Sequence, residues 1–402
     1  MATEKRNVIW VLSDQHSFKA CSCYGNTVVK TPHLDALAAQ SCRFDRAYTS
    51  APVCVPARDS MLTGLYPERF CGESGPVPSP RIPTAADRFS DAGYITAHIG
   101  KMHPVKPYTR GFDYLVDMGH YFDYLGPKTE VFVRGMDARN PGCGSPWMDS
   151  WYEPTPWGPA DVPDYSGASP ERPWRIAGWR GKPLEGDAPR VLAEEDHQEA
   201  FVARNCKAFL DEVGEDPFFL QASFLKPHYP EVAPPSFRAL YDPQDVELPA
   251  GYDEWELVPS GRRGQIYRDI VKDEGKAIAR QWLADYYACV SYVDECLGRI
   301  IVALEDRGLW DNTILIYTSD HGDMMFEKGM RGKFVYFEPA VRVPLIIRVP
   351  GAKDGERSTS ALTDHTDLLP TSLSLAGISS PQDTDGVDQS RVIFGEEGGR
   401  DA

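Results

Sequence analysis

Long apolar runs are missing from this chain of 402 residues. No stretch of about 18 consecutive apolar residues occurs, which excludes a membrane-spanning helix. Positive charge is also in short supply: 42 Lys and Arg stand against 59 Asp and Glu, for a net charge of −17. That balance argues against nucleic acid or an anionic membrane surface as partner. It leaves an anionic substrate open, because a local cluster of Lys, Arg, His and metal overrides the global field. Internal repeats and low-complexity tracts are absent. The first residues, Met-Ala-Thr-Glu-Lys-Arg-Asn, carry no basic-plus-apolar leader and no small-residue cleavage site. The nine cysteines form no tight framework, which fits reduced thiols and a cytoplasmic protein. A mature secreted form without its leader would read the same way.

What is present is a globular composition, with 42% hydrophobic and 25% charged residues. The length exceeds what one ordinary core needs, so the chain is a large α/β domain with insertions or two domains. Asn7–Ser13, Gly93–Gly100, Pro217–Leu225 and Thr313–Ser319 read as buried parallel strands, apolar and ended by polar residues. Helices are expected from Pro32 (Thr31 as N-cap), over Thr84–Ala92, Glu194–Val213, Ala277–Gly308 and Thr363–Gly377. Residues 105–190 lack periodicity and are rich in Pro, Gly and Trp. They read as an insertion folded over the sheet edge, since the tryptophans argue against disorder.

Chemistry-bearing residues collect just past the strand ends, where ligands gather in open α/β sheets. Asp14-Gln15 follows the first strand, and Asp320-His321-Gly322-Asp323 follows another. Two carboxylates so placed could share a metal ion; a cap of the next turn is the plain alternative for Asp14. Lys101 and His103 follow Gly100, and His228 follows the Pro217–Leu225 strand. Lys333 comes soon after Asp320. Residues 50–64, Ser-Ala-Pro-Val-Cys-Val-Pro-Ala-Arg-Asp-Ser-Met-Leu-Thr-Gly, hold the candidate nucleophile. Pro56 stiffens the turn there. Arg58 supplies a permanent positive charge that favours an anionic form of Cys54. Without more, Cys54 is as readily a small buried apolar residue.

Cys54-x-Pro56-Ala-Arg58, followed by Leu62-Thr63-Gly64, resembles the signature of the formylglycine-dependent sulfatases. Thr31-Pro-His-Leu-Asp-x-Leu-Ala38, Gly93-Tyr-x-Thr-x-x-Ile-Gly-Lys-x-His103, Pro227-His-x-Pro230 and the run from Asp320 to Pro350 are similar to further parts of that pattern, in the same order. The resemblance runs from about residue 7 to about residue 388. It implies an α/β alkaline-phosphatase-like sandwich, with a large mostly parallel central sheet and helices on both faces. Residues 1–380 would form the catalytic domain. Residues 381–402 would begin a small C-terminal subdomain that looks curtailed.

Carried over to these positions, the resemblance implies that Cys54 becomes a formylglycine, made by a formylglycine-generating enzyme. Asp14, Gln15, Asp320 and His321, with residue 54, would hold one divalent cation. Ca²⁺ is the expected ion. Many members carry a second Asp where Gln15 stands and an Asn where His321 stands. The imidazole tilts the donor set toward Mn²⁺ or Zn²⁺, whereas oxygen ligands favour Ca²⁺ or Mg²⁺. Lys101 and Lys333, with the cation, would neutralise the sulfate oxygens, and Arg58 and the cation would favour the alkoxide of residue 54. His228, with Lys333, would assist the leaving alcohol, and His103 would take a proton from the second hydroxyl of residue 54. The implied reaction is hydrolysis of a small-molecule or saccharide sulfate monoester. Asp-His is also seen in relatives that cleave phosphonate monoesters and phosphodiesters, so that reaction is the alternative. A non-catalytic binding protein on the same fold is a third reading.

Overall fold

The structure is a computed structural model that describes residues 5–72, 75–76, 82–102, 111–125, 192–229, 231–254, 275–352 and 357–400. His103 and most of the 105–190 insertion, with its five tryptophans, lie outside the described residues. Within the part that is described, Tyr114–Asp117 is an edge strand of the sheet and Met118–Leu125 a helix, so this portion belongs to the regular fold rather than to an irregular insertion.

The backbone organises around strand β1, Asn7–Asp14, every residue of which is buried. Seven further strands form one sheet with it: β2 (Cys42–Tyr48), β3 (Ile95–Gly100), β4 (Tyr114–Asp117), β5 (Phe218–Pro227), β6 (Thr313–Ser319), β7 (Leu345–Arg348) and β8 (Arg357–Asp364). Their spatial order is β8-β2-β7-β6-β1-β5-β3-β4. β1 lies between β5 and β6, parallel to both, with Val11 opposite Ala222 and Tyr317. Only β7 runs against its neighbours. The other strands therefore deliver their carboxyl ends to one edge of the sheet.

Burial on both faces explains the unbroken apolar reading of the central strands. Side chains of β1 alternate: Ile9 and Val11 join one core, Val8, Trp10 and Leu12 the other. The first core is closed by helices Gln198–Glu212 and Gly275–Asp306 through Phe201, Phe209, Tyr292, Leu297 and Leu304. The second is closed by Ala85–Asp91 and Leu368–Leu375 through Phe89, Leu369 and Leu373. Trp10 buries its ring there, and its indole N–H donates to Ser372 Oγ at 2.9 Å, so no polar atom of that side chain is stranded.

Local sequence sets the helix starts. Thr84 and Asp87 form the reciprocal capping box that opens Ala85–Asp91. The helix Pro32–Ala38 departs from expectation: Thr31 makes no side-chain cap. The Asp294 carboxylate, from the long helix, accepts the His33 and Leu34 N–H groups at 3.0 and 2.7 Å instead. A tertiary contact thus does the work of a local cap.

Two glycines let backbones meet at the functional edge. A Cβ on Gly100 (φ +109°) would lie 2.0 Å from Ser223 O, and one on Gly322 would lie 1.9 Å from Pro339 O. Gly100 thereby allows the Lys101 N–H to bond Ser223 O at 2.9 Å.

Candidate active site

Five of the strand ends converge on one buried cluster. β1 ends in Asp14, β6 runs into Asp320 and His321, β3 into Lys101, and β5 into His228. β2 leads through Thr49 to the helix Cys54–Thr63. Pro56 therefore sits in the first turn of a helix, where its missing N–H is not needed, rather than in a free turn. Cys54 and Arg58 are four residues apart on that helix and share its inner face. Gly64, in the left-handed conformation (φ +69°), stops it.

Single ligand atoms from Asp14, Cys54, Asp320 and His321 all lie within 4.8 Å of one another, and all four residues are buried. Cys54 Sγ is 3.2 Å from His321 Nε2 and 2.8 Å from Lys333 Nζ. Arg58 lies beneath the cluster and joins both carboxylates: Nη2 donates to Asp14 Oδ2 at 3.0 Å and Nε to Asp320 Oδ2 at 2.9 Å. Its remaining Nη1 donates to Lys101 O and Ser223 Oγ. Lys101 Nζ also donates to Asp14 Oδ2. Thr49 Oγ1 donates to Asp320 O at 2.7 Å and ties the Cys54 loop to the Asp320 turn.

Electrostatics follow from that packing. Burial opposes ionisation of Asp14, yet Lys101, His228, Lys333 and Arg58 together hold its carboxyl well below the ordinary range. Burial and the neighbouring Asp14 raise Asp320. For Cys54, burial and Asp14 push the thiol up, but Lys101, Lys333 and His321 prevail and hold it well below the usual thiol range. Burial and Lys333 push His228 down to about 3. His228 Nδ1 lies 2.7 Å from Tyr229 O, a pure acceptor, so the neutral ring carries its proton on Nδ1. Its Nε2, 3.8 Å from Asp14 Oδ1, presents a lone pair to the cluster.

The donor set suits a divalent cation. Two carboxylates, an imidazole and residue 54 already converge, and Gln15 adjoins them, its N–H donating to Asp320 Oδ1 at 3.0 Å. The Gln15 amide oxygen is buried without a hydrogen-bond partner, while every other polar atom of that residue is engaged. A buried amide oxygen left without a partner is what a bound cation would satisfy. Every described residue singled out from the sequence (Asp14, Gln15, Cys54, Arg58, Lys101, His228, Asp320, His321 and Lys333) is thus in or against this cluster.

Two contacts were not anticipated. Ser223 and Asp323 received no role from sequence, although Asp323 stands in the Asp-His-Gly-Asp run. Its position three residues past Asp320 was the available signal. Asp59, next to Arg58, is fully buried with both carboxylate oxygens unpartnered, and burial pushes its carboxyl up to about 8.

A mostly parallel sheet between two helical layers, with a buried cluster of potential metal ligands and the Cys54-bearing helix at the strands' carboxyl edge, defines an alkaline-phosphatase-like α/β protein. The chain belongs to the sulfatase family, whose model matches residues 6–378. It is 31% identical to a choline-sulfatase of Rhizobium meliloti over 99% of this chain and 73% of that protein. It is 30% identical to the uncharacterized sulfatase YidJ of Escherichia coli over 94% of this chain and 69% of the relative. Among solved structures, a phosphonate monoester hydrolase of Agrobacterium radiobacter superposes with a TM-score of 0.73 at 26% identity, covering 99% of this chain and 79% of that one.

Proposed function

We propose that this protein hydrolyses a sulfate monoester to an alcohol and inorganic sulfate, through a formylglycine formed from Cys54. The observation that carries this reading is the convergence of Asp14, Cys54, Asp320 and His321 within 4.8 Å, in contact with fixed cations. Arg58, Lys101 and Lys333 supply three positive charges against the two carboxylates. A site with surplus positive charge suits an anionic ester and the negative charge that develops on the bridging oxygen as the S–O bond breaks.

Asp14, Gln15, Asp320 and His321 would hold the cation, for which we assign Ca²⁺, with Mn²⁺ as the competitor because of the imidazole. The bound ion would supply Lewis-acid neutralisation of the sulfate oxygens. Cys54 Sγ stands where one oxygen of the hydrated aldehyde would be. That hydroxyl passes its proton to the Nε2 lone pair of His228 and attacks sulfur, its new O–S bond forming as the bond to the alcohol breaks. Lys333 and Lys101 steady the sulfate oxygens. His228, protonated at Nε2 in the substrate complex, donates to the leaving oxygen. Loss of the proton from the second hydroxyl then reforms the C=O bond, expels sulfate and restores the aldehyde. We keep His103 as the base for that step. A cysteine thiolate has no second hydroxyl and would stop at the ester, so unconverted protein should be nearly inactive.

A second reading, phosphonate monoester hydrolysis, is supported by the likeness to the Agrobacterium enzyme's structure. Rates on 4-nitrophenyl sulfate and on 4-nitrophenyl phenylphosphonate separate the two. Faster phosphonate turnover would overturn the first reading. The mass of the tryptic peptide Ala47–Arg58 from native-host protein tests the nucleophile directly. An intact cysteine there, in a host with the converting enzyme, would favour the binding-protein reading.

A further inference from the structure

Gln15 is held with unusual completeness. It adopts a left-handed backbone conformation (φ +65°), costly for a residue with a side chain. Its N–H donates to Asp320 Oδ1 at 3.0 Å, and its C=O accepts the Tyr286 hydroxyl at 2.6 Å. Its Nε2 donates to Asp323 Oδ2 at 2.6 Å. Both Asp323 oxygens already accept backbone N–H groups, so the donor end of the amide, Nε2, faces Asp323 and the amide oxygen faces away from it. That oxygen is the buried atom without a partner.

Asp323 is itself fixed from two sides. Its Oδ1 accepts the Met325 N–H at 2.7 Å, and its Oδ2 accepts the Gly332 N–H at 3.1 Å. Gly332 immediately precedes Lys333, whose Nζ touches both Cys54 and His321. One carboxylate therefore links the Gln15 amide to the segment that carries the lysine.

We propose that Asp323 is a positioning residue that dictates both the glutamine at position 15 and the orientation of its amide oxygen toward the cation. The inference rests on the metal site of the proposed function. A carboxylate at position 15 would face Asp323 at hydrogen-bond distance with no proton between them, a repulsive pair in a buried setting. The amide avoids this by donating to Asp323 and turning a neutral oxygen to the ion. The charge-assisted bond also polarises that amide and raises electron density on its oxygen. Among the described residues, the Asp323 side chain meets the Gln15 amide and, through the Gly332 N–H, the segment that carries Lys333, and it is not one of the four clustered ligands.

The test is a double-variant cycle read by ion binding, which needs no turnover. Metal-stripped protein with Cys54 unconverted is titrated calorimetrically with Ca²⁺ and with Mn²⁺. Asp323→Asn should weaken binding about 10- to 100-fold, because the Gln15 amide can then flip and present N–H to the ion. Gln15→Glu alone should weaken it comparably through repulsion. The pair Gln15→Glu with Asp323→Asn should recover most of the loss, because the new amide donates to the new carboxylate. Asp323→Asn should also lower kcat more than it raises KM, through Lys333. Unchanged affinity in Asp323→Asn, or a double variant no better than Gln15→Glu, would overturn the proposal. Should Asp323→Asn fail to fold, Gln15→Leu decides: it removes the amide oxygen, and full ion affinity would overturn the assignment. Wild-type protein that binds the ion yet cleaves neither ester class would refute the proposed function while leaving this coupling intact.

Discussion

Lys333 Nζ stands 2.8 Å from Cys54 Sγ, although 279 residues separate them in the chain. The lysine is buried and also contacts His321 Nε2 at 3.0 Å. A preorganised cation at the proposed nucleophile would stabilise charge without reorganising at the moment of reaction. Lys333→Ala should therefore lower kcat on 4-nitrophenyl sulfate by about 10²–10³ with a smaller change in KM. Lys333→Arg should recover little, since a planar fork does not replace a point charge in that space. Steady-state kinetics on converted enzyme would check this. A kcat within threefold of wild type would remove Lys333 from the reaction.

Arg58 joins Asp14 and Asp320 from beneath, and both acids lie in full burial. Removing one partner of a buried ion pair leaves the other charge unpaired, at about 3–5 kcal/mol. Arg58→Ala should lower the unfolding free energy of metal-free protein by about that amount. Arg58→Lys keeps the charge but has no fork to serve both carboxylates, Lys101 O and Ser223 Oγ together, so it should recover only part. Urea unfolding monitored by circular dichroism is the measurement. Equal midpoints for wild type and Arg58→Ala would mean that the guanidinium is not needed to keep the acids buried.

His228 presents Nε2 to the cluster and is neutral before substrate arrives, since burial and Lys333 push it down to about 3. A leaving-group acid matters in proportion to how poor the leaving group is. His228→Ala should cost about 10²–10⁴ on an alkyl sulfate and far less on 4-nitrophenyl sulfate, whose phenolate departs unaided. Comparison of kcat/KM across a series of leaving-group pKa values checks it through a steeper dependence in the variant. Parallel dependences would assign His228 to another step.

The central strands were readable because their physics is local, whereas Cys54, Lys101, His228 and Lys333 were singled out through the resemblance to the sulfatase pattern. β1 and β6 are continuous apolar runs that stop at a carboxylate, and that pattern places Asp14 and Asp320 together without any coordinate. β8, Arg-Ser-Thr-Ser-Ala-Leu-Thr-Asp, escaped because it is the outermost strand on its side and carries polar side chains. Asp323 escaped for a different reason. Its importance lies in which amide it faces, and that depends on the left-handed turn at Gln15, which propensity would not assign to glutamine. The Asp294 cap on the Pro32–Ala38 helix is likewise a tertiary substitute for a local motif.

Asp59 offers a pH test separate from the catalytic groups. Burial pushes its carboxyl from 3.8 up to about 8, and neither oxygen has a partner. The folded state therefore holds this proton over a range in which the unfolded chain releases it. The folded state binds more protons, so stability falls as pH rises between about 4 and about 8. Asp59→Asn removes that penalty while keeping the shape. Its melting temperature should match wild type near pH 4.5 and rise progressively above it toward pH 8. Differential scanning calorimetry at several pH values reads the gap directly. A gap that stays flat with pH, or that favours wild type at pH 8, would mean that Asp59 is ionised and paired in the folded protein.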